Sequence, residues 1–578
     1  MEIWIKLFIC LFILIFAWYI HDKYVQRKHQ ILVNYPIIGR LRFVFQEFRE
    51  PFRQYFGDEK FYESMDKLEW VYGASRDKVN YASFSPSQPL PKPKFMLRHT
   101  NIVLNEDEVE NDFSITFGQE RDQPFNASSI IGRGPMSDGS ISPEGTRAFV
   151  CGAKDGAFPI NSGEGGLTSN FFVTHNNYDT KYMKEVRGST FQERFFKLSK
   201  ILFNVPVAID FYRKTVFRKD PEADTYVFNK EKDCFYRPNW EASIDSFPKE
   251  VPEDIPDIIL QISSGLYGVR TKKGKFDIER YKKQMSFCRM TEIKIAQGAK
   301  QTGGKLVASK VTPSIAYYRN IEANKDAFSP NRFPYANSNE ELFDFIGELQ
   351  KASGKPVGIK IVISDYNNIV PIAKEIKRRV KLNLPYPDYI SIDGGSGGSA
   401  TAPLDMMERI GMDIRDAIYL VDKVLKDHGV RDKVKISASG KILTPDDVII
   451  TLCLGADFVQ IARGFMMSAG CIRARYCSGA SKHQCPVGLA TQDIKKRKHY
   501  FVKKHSTYVK NYHNNILKSM KSLLAVMGLK NVKELDKEKL IFLDRDSIIH
   551  DDMDTLFERR IFNKSESLKK TNASLSDQ

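Results

Sequence analysis

The middle of the chain repeats one pattern: a short apolar run, a polar turn that contains Gly, and then apolar residues at helical spacing. The apolar runs are residues 357–363, 388–392, 434–438 and 457–462. Their length and their β-branched residues predict buried strands. Strands that alternate with helices along the chain are typical of parallel sheets with helices on their faces. The pattern therefore predicts a parallel α/β fold.

Helices between these strands are predicted by capping signals and by spacing. Ser338 and Glu341 have the spacing of a capping box, and Thr444 stands where an N-cap residue would. Apolar stripes predict further helices over residues 371–380 and 414–425. The predicted buried face of the helix after Ser338 comprises Leu342, Phe345, Ile346 and Leu349.

Two consecutive late strands end in turns that suit a phosphate group. Ser439, Gly440 and Lys441 follow one strand, and Arg463 and Gly464 follow the next. In a (β/α)₈ barrel, the loops after two late strands bind phosphate with backbone N–H groups and helix N-termini. Glycine lets the backbone approach such a group closely. These turns predict an eight-stranded barrel with a phosphate site at its mouth.

The N-terminus carries the clearest topological signal. Residues 3–20 are apolar except for Lys6, a length that suits one membrane-spanning helix if Lys6 reaches an interface. Lys23, Arg27 and Lys28 follow at once, so we expect a single-pass protein whose catalytic body faces the cytoplasm. A cleaved signal peptide and a buried helix are the alternatives. The sequence after this segment offers no small-residue cleavage motif, which weighs against the signal peptide.

Composition narrows the class of protein. The chain has 578 residues and a formal net charge of +16, and it is long enough for one barrel with extensions. Its lysine excess is spread along the chain without RNA-binding motifs, so we expect a solvated basic surface and no nucleic-acid partner. Eight cysteines do not form the framework of a short secreted protein. The grouping of Cys471, Cys477 and Cys485 instead favours a metal site in a reducing compartment.

These signals divide the chain into four parts. Residues 1–22 are the expected membrane anchor, and residues 23–100 are a helical and loop-rich lead-in. Residues 101–500 are the expected barrel. Residues 501–578 are rich in lysine and are expected to form a helical extension that ends in a disordered tail.

Polar segments supply further candidate chemistry. Residues 136–142 and 161–166 are Gly-containing polar loops, although either alone could be an ordinary turn. Residues 292–300 alternate polar and apolar positions and place Lys294 on the polar face, which predicts groups directed at a barrel mouth; a solvated edge strand is the alternative. Lys360 lies in the centre of an apolar strand, where a charge needs a partner. A reduced, anionic flavin is such a partner, and an outward-facing lysine is the alternative.

Taken in order, these segments resemble one family. MSDGSIS, INSGEGG, EIKIAQGAK and IDGGSGG, with GC-x5-C followed by CPVGLATQD, resemble the FMN-binding synthase domain of glutamate synthases. The similarity extends over about residues 100–500, and the apolar N-terminus resembles the short, membrane-anchored, single-domain branch. It implies a (β/α)₈ barrel with FMN at its mouth and a [3Fe-4S] cluster on three cysteines. The implied reaction reduces 2-iminoglutarate, formed from 2-oxoglutarate and ammonia, to L-glutamate.

The resemblance also implies roles for residues at matching positions. The 2-oxo acid is expected to face Gln297, Lys300 and Arg319, and Lys305 adds a positive charge beside them; these four are the candidate catalytic residues. The candidate FMN contacts are Met136, Ser137, Lys294, Lys360, Asp393, Gly394, Gly395, Ser439, Gly440, Lys441, Arg463 and Gly464. The expected cluster ligands are Cys471, Cys477 and Cys485.

Two features are not found in the sequence. Full-length glutamate synthases begin with the cysteine nucleophile of a glutaminase domain, whereas this chain begins Met1-Glu2-Ile3, and no GxGxxG motif follows a predicted strand. We therefore expect ammonia to be taken up as such, and electrons to come from a separate donor such as ferredoxin or a reductase. Two alternatives stay open. One is an FMN oxidoreductase with a different substrate, and the other is a membrane-tethered binding or assembly protein without turnover.

Overall fold

The computed structural model describes residues 2–26, 30–41, 43–45, 47–48, 65–78, 94–172, 183–217, 226–238, 247, 251–298, 303–403, 405–406, 409–478, 484–497 and 500–562. The chain forms two compact units, Met1–Met65 and Asp66–Gln578. The first unit holds the helices Glu2–Ile20 and Gln30–Asn34, joined through a π-helical turn, His21–Val25. Among the described residues, one helical stretch, Trp4–Val25, is long and apolar enough to cross a membrane, and its most apolar part is exposed.

Eight parallel strands close into a barrel in the second unit. In chain order they are β1 (Ile131–Arg133), β2 (Ile160–Asn161), β3 (Ile258–Ile262), β4 (Met290–Lys294), β5 (Val357–Ile361), β6 (Tyr389–Asp393), β7 (Lys435–Ser439) and β8 (Phe458–Ile461). Each pairs in parallel with the next, and β8 pairs with β1. All eight carboxyl ends therefore lie at one mouth. The predicted (β/α)₈ barrel is confirmed.

Helices and short sheets surround this barrel. The remaining helices are Met65–Ser75, Pro143–Gly156, Thr190–Leu202, Val205–Val216, Ile278–Met285, Pro313–Arg319, Asn339–Ser353, Tyr366–Leu382, Ile414–Asp427, Pro445–Cys453, Arg463–Ser468, Ile494–Arg497, Val502–Met527 and Met553–Phe562. In the described part of the chain, the strands outside the barrel form four small antiparallel sheets: Lys94–Leu97 with Leu540–Leu543 and Ile549–His550, Ile115–Phe117 with Phe125–Ala127, Lys305–Leu306 with Ala327–Phe328, and Met183–Val186 with Cys234–Pro238 and Val227–Asn229.

The end of the barrel opposite the mouth is filled by aromatic side chains. Phe458, Tyr389 and Met290 close the barrel interior there, and Phe117 of the small hairpin packs against them. The Phe117 ring meets both Tyr389 and Phe458 edge-on, with centroids 5.4 Å away in each case. This packing excludes water from one end, so the polar chemistry of the barrel is confined to the mouth.

Helix boundaries follow their caps more closely than their apolar stripes. The helix predicted over residues 371–380 extends over Tyr366–Leu382, because Asp365 caps it with a hydrogen bond from the Asn367 N–H at 2.8 Å. Pro371 therefore lies inside the helix rather than at its start. Near its beginning, a missing N–H removes only one backbone hydrogen bond.

The helix Asn339–Ser353 begins after Ser338, as predicted. The Ser338 hydroxyl accepts a hydrogen bond from the Glu341 N–H at 3.1 Å. The Glu341 carboxylate accepts from the N–H of Asn337 at 2.9 Å, one residue earlier than a capping box requires. The predicted buried face, Leu342, Phe345, Ile346 and Leu349, is confirmed.

Removing this cap is expected to weaken the barrel by a measurable amount. Ser338→Ala should lower the free energy of unfolding by about 1 kcal/mol, because one helix N–H loses its acceptor. Urea denaturation followed by circular dichroism measures the change. The neighbouring Asn337→Ala is the control, since the Asn337 side chain is exposed and its contribution comes from its backbone. Equal effects of the two substitutions would contradict the capping role.

The C-terminal extension packs against the barrel. The helix Val502–Met527 crosses Pro143–Gly156 so closely that a Cβ on Gly152 would lie 2.5 Å from Val509. Further along the same helix, Ile516, Met520 and Leu524 are also buried. The tail predicted to be disordered lies mostly outside the described residues, which end at 562.

Candidate active site at the barrel mouth

A buried polar layer spans the middle of the barrel. Glu292 on β4 accepts hydrogen bonds from Asn161 at 2.9 Å, Gln261 at 2.7 Å and Gln460 at 2.9 Å. Gln460 also donates to the Ser437 hydroxyl on β7 at 3.1 Å. A buried carboxylate requires donors of this kind to remain charged. The layer therefore gives the mouth a polar floor held by side chains of five strands.

Two lysines stand side by side above this floor. Lys294 on β4 and Lys360 on β5 are direct neighbours in the strand register. The Lys294 ammonium donates to Glu164 at 2.9 Å, and Lys360 lies 3.7 Å from Asp393. Lys360 is buried and Lys294 is half-buried. Each cation has a carboxylate partner, so two ion pairs stand next to each other at this side of the mouth.

The loops after β4 and β6 are tied together at Asp393. Its carboxylate accepts the N–H of Gly298 at 2.8 Å, and the next residue, Gly394, donates its N–H to the Ser439 carbonyl at 2.8 Å. A Cβ on Gly298 would lie 2.0 Å from the Gly394 carbonyl. Gly395 donates to the Met412 carbonyl, and a side chain there would meet the backbone of the same turn. Glycine is required here because the two loops touch backbone to backbone.

The turns predicted to hold phosphate converge on the same loop. Gly440 adopts φ +146°, and a Cβ there would lie 3.2 Å from the backbone N of Gly394. Lys441 follows with φ +50°, a left-handed conformation that is uncommon for lysine. Arg463 donates to the Ser396 carbonyl at 3.3 Å, which links the turn after β8 to the loop after β6. The carboxyl ends of β6, β7 and β8 thus form one continuous cradle.

Arg319 reaches the opposite side of the mouth. It is buried, donates to the Ser137 hydroxyl at 3.2 Å and to the Asp138 carbonyl at 3.0 Å, and its guanidinium lies over the Tyr267 ring. Burial lowers the pKa of Arg319, while the nearby Glu164 opposes that shift. Burial also raises the pKa of the Asp138 carboxyl, against hydrogen bonds that lower it. Arg319 therefore fixes the loop after β1 as well as carrying a charge.

Several buried polar atoms around the mouth have no hydrogen-bond partner among the described residues. They are the Arg319 Nε and the hydroxyls of Ser263 and Ser396. Ser263 directly follows β3, and Ser396 lies in the loop after β6. An unsatisfied buried group costs about 1–3 kcal/mol, so three at one mouth suit a polar ligand. This observation fits a flavin mononucleotide, which offers ring, ribityl and phosphate acceptors.

The structure describes one of the two predicted catalytic lysines. Lys300 lies outside the described residues. Lys305 is exposed, and its ammonium pairs with Asp326 at 2.9 Å and lies over the Phe328 ring. The structure therefore gives Lys305 partners away from the cations at the mouth.

Other predicted site residues make local contacts around the mouth. Gln297 donates from its side chain to the Gly398 carbonyl at 3.1 Å, which joins the loops after β4 and β6. The Met136 carbonyl accepts from Arg133 at 3.2 Å. Gly464 faces the C-terminal helix, because a Cβ there would lie 1.9 Å from the Tyr512 hydroxyl.

The three cysteines predicted as ligands lie in one neighbourhood. Burial, together with the charges of Cys477 and Cys485, raises the pKa of Cys471 to about 12. Burial and the charge of Cys485 likewise raise the pKa of Cys477. No three ligand groups in the described part of the chain are arranged to hold a single metal ion. The iron–sulfur cluster on these three cysteines stays a prediction.

Lys310 was not predicted, yet it joins the two halves of the site. Its buried ammonium donates to the Ser140 carbonyl at 3.0 Å and to the Cys477 carbonyl at 2.6 Å. Burial lowers the pKa of Lys310 to about 8, and charges on Cys477 and Cys485 oppose that shift. One side chain therefore connects the loop after β1 to the cysteine segment.

Sequence reasoning also missed the two carboxylates. Glu164 stands in INSGEGG, and Glu292 begins EIKIAQGAK. The alternation of polar and apolar residues could have identified Glu292, because Glu292 is polar and lies on the same face of its strand as Lys294. Nothing local marks Glu164 or Lys310, since their partners are distant in sequence.

Comparison with known proteins decides the family. A family model described as the conserved region in glutamate synthase matches residues 85–530. The chain belongs to the glutamate synthase family. The resemblance stated from the motifs is confirmed, and the chain is an oxidoreductase of glutamate synthase type.

Relatives of this glutamate synthase family member differ in how much of them it spans. It is 28% identical to the glutamate synthase large subunit-like protein YerD of Bacillus subtilis, over 93% of this chain and 94% of that protein. It is 33% identical to an archaeal-type glutamate synthase [NADPH] of Thermotoga sp., over 50% of this chain and 53% of that protein. It is 31% identical to the ferredoxin-dependent glutamate synthase of Antithamnion sp., over 48% of this chain and 17% of that protein. The chain thus spans about half of the archaeal-type relative.

Proposed function

We propose that this protein binds FMN at the barrel mouth and reduces 2-iminoglutarate, formed from 2-oxoglutarate and ammonia, to L-glutamate. The observation that carries the proposal is the adjacent pair Lys294 and Lys360 above a polar floor, at a mouth that also has buried donors without partners among the described residues. Such a mouth suits a ligand that is anionic at two places, namely a reduced flavin and a dicarboxylate. Membership in the glutamate synthase family supports combining the two ligands in one reaction.

Each group has a distinct task in this proposal. Reduced FMN supplies the hydride that converts the imine carbon to the amine-bearing carbon, and a proton from solvent or from the protein completes the product. Lys360, held beside Asp393, stabilises the negative charge of the reduced ring. The turn at Gly440 and Lys441 holds the phosphate with Arg463. Lys294, paired with Glu164, gives the substrate side of the mouth its cation.

Arg319 is the proposed anchor of one substrate carboxylate. Its Nε is a buried donor with no partner in the described structure, whereas its Nη2 already holds the loop after β1. Arg319→Lys should raise the apparent Kd for 2-oxoglutarate about tenfold, since lysine keeps the charge but loses the planar fork of donors. Perturbation of flavin absorbance by 2-oxoglutarate measures that Kd. Lys305→Met is the matched control and should have no effect.

The measurement also separates anchoring from support of the loop. If Arg319→Lys releases FMN but leaves the Kd for 2-oxoglutarate unchanged in reconstituted protein, Arg319 supports the loop alone. An equal effect of Lys305→Met would move the substrate to the exposed side of the mouth.

We also propose that Cys471, Cys477 and Cys485 hold a [3Fe-4S] cluster that passes electrons to the flavin from a separate donor protein, such as ferredoxin or a reductase. Lys310 connects the cysteine segment to the loop after β1, which is proposed to contact the flavin, and it supplies a cation beside the proposed cluster. Three cysteine thiolates can hold such a cluster, and charged groups of the protein around it influence its reduction potential.

Cys485→Ala is expected to abolish the iron and acid-labile sulfide of anaerobically prepared protein while leaving FMN bound. The reason is that two thiolates do not hold a three-iron cluster. Cys453→Ala, which alters another buried cysteine, should leave the iron content unchanged. Wild-type protein that contains neither iron nor sulfide would contradict the cluster.

The N-terminal helical stretch is proposed as a single-pass anchor with the catalytic body in the cytoplasm. Its length and apolar character support a membrane span, and Lys23 lies near its C-terminal end. A protease added to sealed cells should therefore leave the body intact.

Product formation tests the proposed reaction. Protein supplied with a reduced viologen dye, 2-oxoglutarate and ¹⁵N-ammonium should release ¹⁵N-labelled L-glutamate, detected by mass spectrometry. Replacing ammonium with glutamine should give no product. Oxidation of the dye by 2-oxoglutarate with a product other than glutamate would replace this substrate by another 2-oxo acid.

A further inference from the structure

A segment inserted between β2 and β3 forms a small body with its own core. It contains the sheet of Met183–Val186, Cys234–Pro238 and Val227–Asn229 and the helices Thr190–Leu202 and Val205–Val216. Phe196, Tyr212 and Phe235 pack together in that core. One face of each helix is therefore already buried by its own segment.

The first helix carries a second apolar stripe on its outer side. Phe191, Phe195, Leu198 and Leu202 follow one another at intervals of four, three and four residues, which places them on one face. Their exposed fractions are 78%, 49%, 51% and 66%. Ile201 beside them is 81% exposed. We call this surface the outer face.

The outer face continues onto the second helix. Phe211 is half exposed, and its ring lies 6.3 Å from that of Phe195, centroid to centroid. Single exposed leucines are ordinary on protein surfaces, but a continuous apolar patch on two helices marks an interaction site. A helix that needs only one apolar face to pack on its own core has no folding reason for a second one.

Charge on the same segment indicates what covers the outer face. Between residues 183 and 217, basic side chains outnumber acidic ones: Lys184, Arg187, Arg194, Lys197, Lys200, Arg213 and Lys214 against Glu185, Glu193 and Asp210. Arg194 and Lys197 are exposed on the first helix, Thr190–Leu202, between the apolar residues of the outer face. An apolar stripe flanked by lysine and arginine is typical of helices that lie in the interface of an anionic bilayer. A second copy of the chain would bring like charges together.

We propose that the outer face lies in the headgroup region of an anionic membrane and forms a second membrane contact of this protein. The apolar residues enter the acyl boundary, and the basic residues meet lipid phosphates. The proposed N-terminal anchor tethers the chain to the same membrane, so that even a weak second contact is occupied. The contact is independent of the proposed reaction, because the segment contributes none of the residues placed at the barrel mouth.

The test measures the second membrane contact after the N-terminal anchor has been cut from the folded protein. Full-length protein with a protease site inserted between residues 57 and 58 is reconstituted into vesicles of phosphatidylcholine, with or without phosphatidylglycerol, and then cleaved. Flotation measures how much of the released body stays with the vesicles. The body should stay on phosphatidylglycerol vesicles and leave the neutral ones. The double substitution Leu198→Glu and Ile201→Glu should lower the partition of the released body onto these vesicles about tenfold or more. The reason is that two apolar side chains can then no longer be buried in the bilayer.

A matched pair of substitutions controls for added charge. Leu382→Glu with Leu384→Glu alters two exposed leucines near the end of a barrel helix and should leave partition unchanged. Release of the wild-type body from both kinds of vesicle would overturn the proposal. So would retention that the Leu198 and Ile201 pair does not alter. Light scattering of the cleaved protein without vesicles tests whether a second copy of the chain covers the outer face instead. A dimer that the Leu198 and Ile201 substitutions dissociate would assign the outer face to that second copy.

Discussion

Gly440→Val is expected to give a folded protein whose affinity for FMN is at least about 100-fold weaker. Gly440 has φ +146°, and a Cβ there would lie 3.2 Å from the Gly394 backbone N. Valine is strained by about 1–3 kcal/mol in such a conformation, and relief of that strain moves the turn away from the loop after β6. The cradle for the phosphate would then open at its centre. Ultrafiltration with fluorescence of the free flavin measures the Kd.

Gly429→Val is the matched control for this change. Gly429 also has a positive φ, +68°, but a Cβ there meets nothing within 4 Å. It should therefore cost stability through backbone strain alone and retain FMN. Retention of FMN by Gly440→Val, or equal loss of FMN from both variants, would show that this turn does not bind the phosphate.

Lys360→Met is expected to lower the midpoint potential of the bound flavin by about 30–60 mV. The ammonium of Lys360 is buried at the mouth and stabilises the reduced, anionic ring more than the neutral oxidised ring. Loss of about 10–100-fold in relative binding of the reduced form converts to that shift at about 30 mV per tenfold change for a two-electron couple. A spectroelectrochemical titration measures the potential.

Lys305→Met provides the comparison for this substitution. Lys305 is exposed and paired with Asp326, so its removal deletes the same charge without altering the mouth. The potential should then stay unchanged, because solvent screens an exposed charge. A potential that rises or stays unchanged in Lys360→Met would contradict the proposed role of Lys360.

The barrel could be predicted from the sequence because each strand and its turn are encoded locally. The runs at residues 434–438 and 457–462 became β7 and β8 within one or two residues. Period and turn chemistry are short-range signals, and the parallel order of strands follows from their alternation with helices. The start of the helix Tyr366–Leu382 was missed because Pro371 suggests a boundary, whereas the hydrogen bond from Asp365 determines it.

The site was less predictable because its contacts join distant parts of the chain. The position of Lys360 in an apolar strand indicated a buried charge, and the structure gives it Asp393, 33 residues later, as partner. Lys310 lies in a short helical turn with no local motif, and its partners are the Ser140 and Cys477 carbonyls. Charge and spacing therefore indicated which strands carry the chemistry, but only the closed barrel brings the loops together.

Reoxidation of the reduced flavin tests the central claim most directly. Protein reduced anaerobically with dithionite, and freed of excess reductant, is mixed in a stopped-flow instrument with 2-oxoglutarate, with ammonium, or with both. The account predicts that the flavin absorbance returns only with both substrates and that L-glutamate forms in a one-to-one ratio with oxidised flavin when no cluster contributes electrons. Reoxidation by ammonium alone, or a flavin that stays reduced with both substrates present, would contradict it.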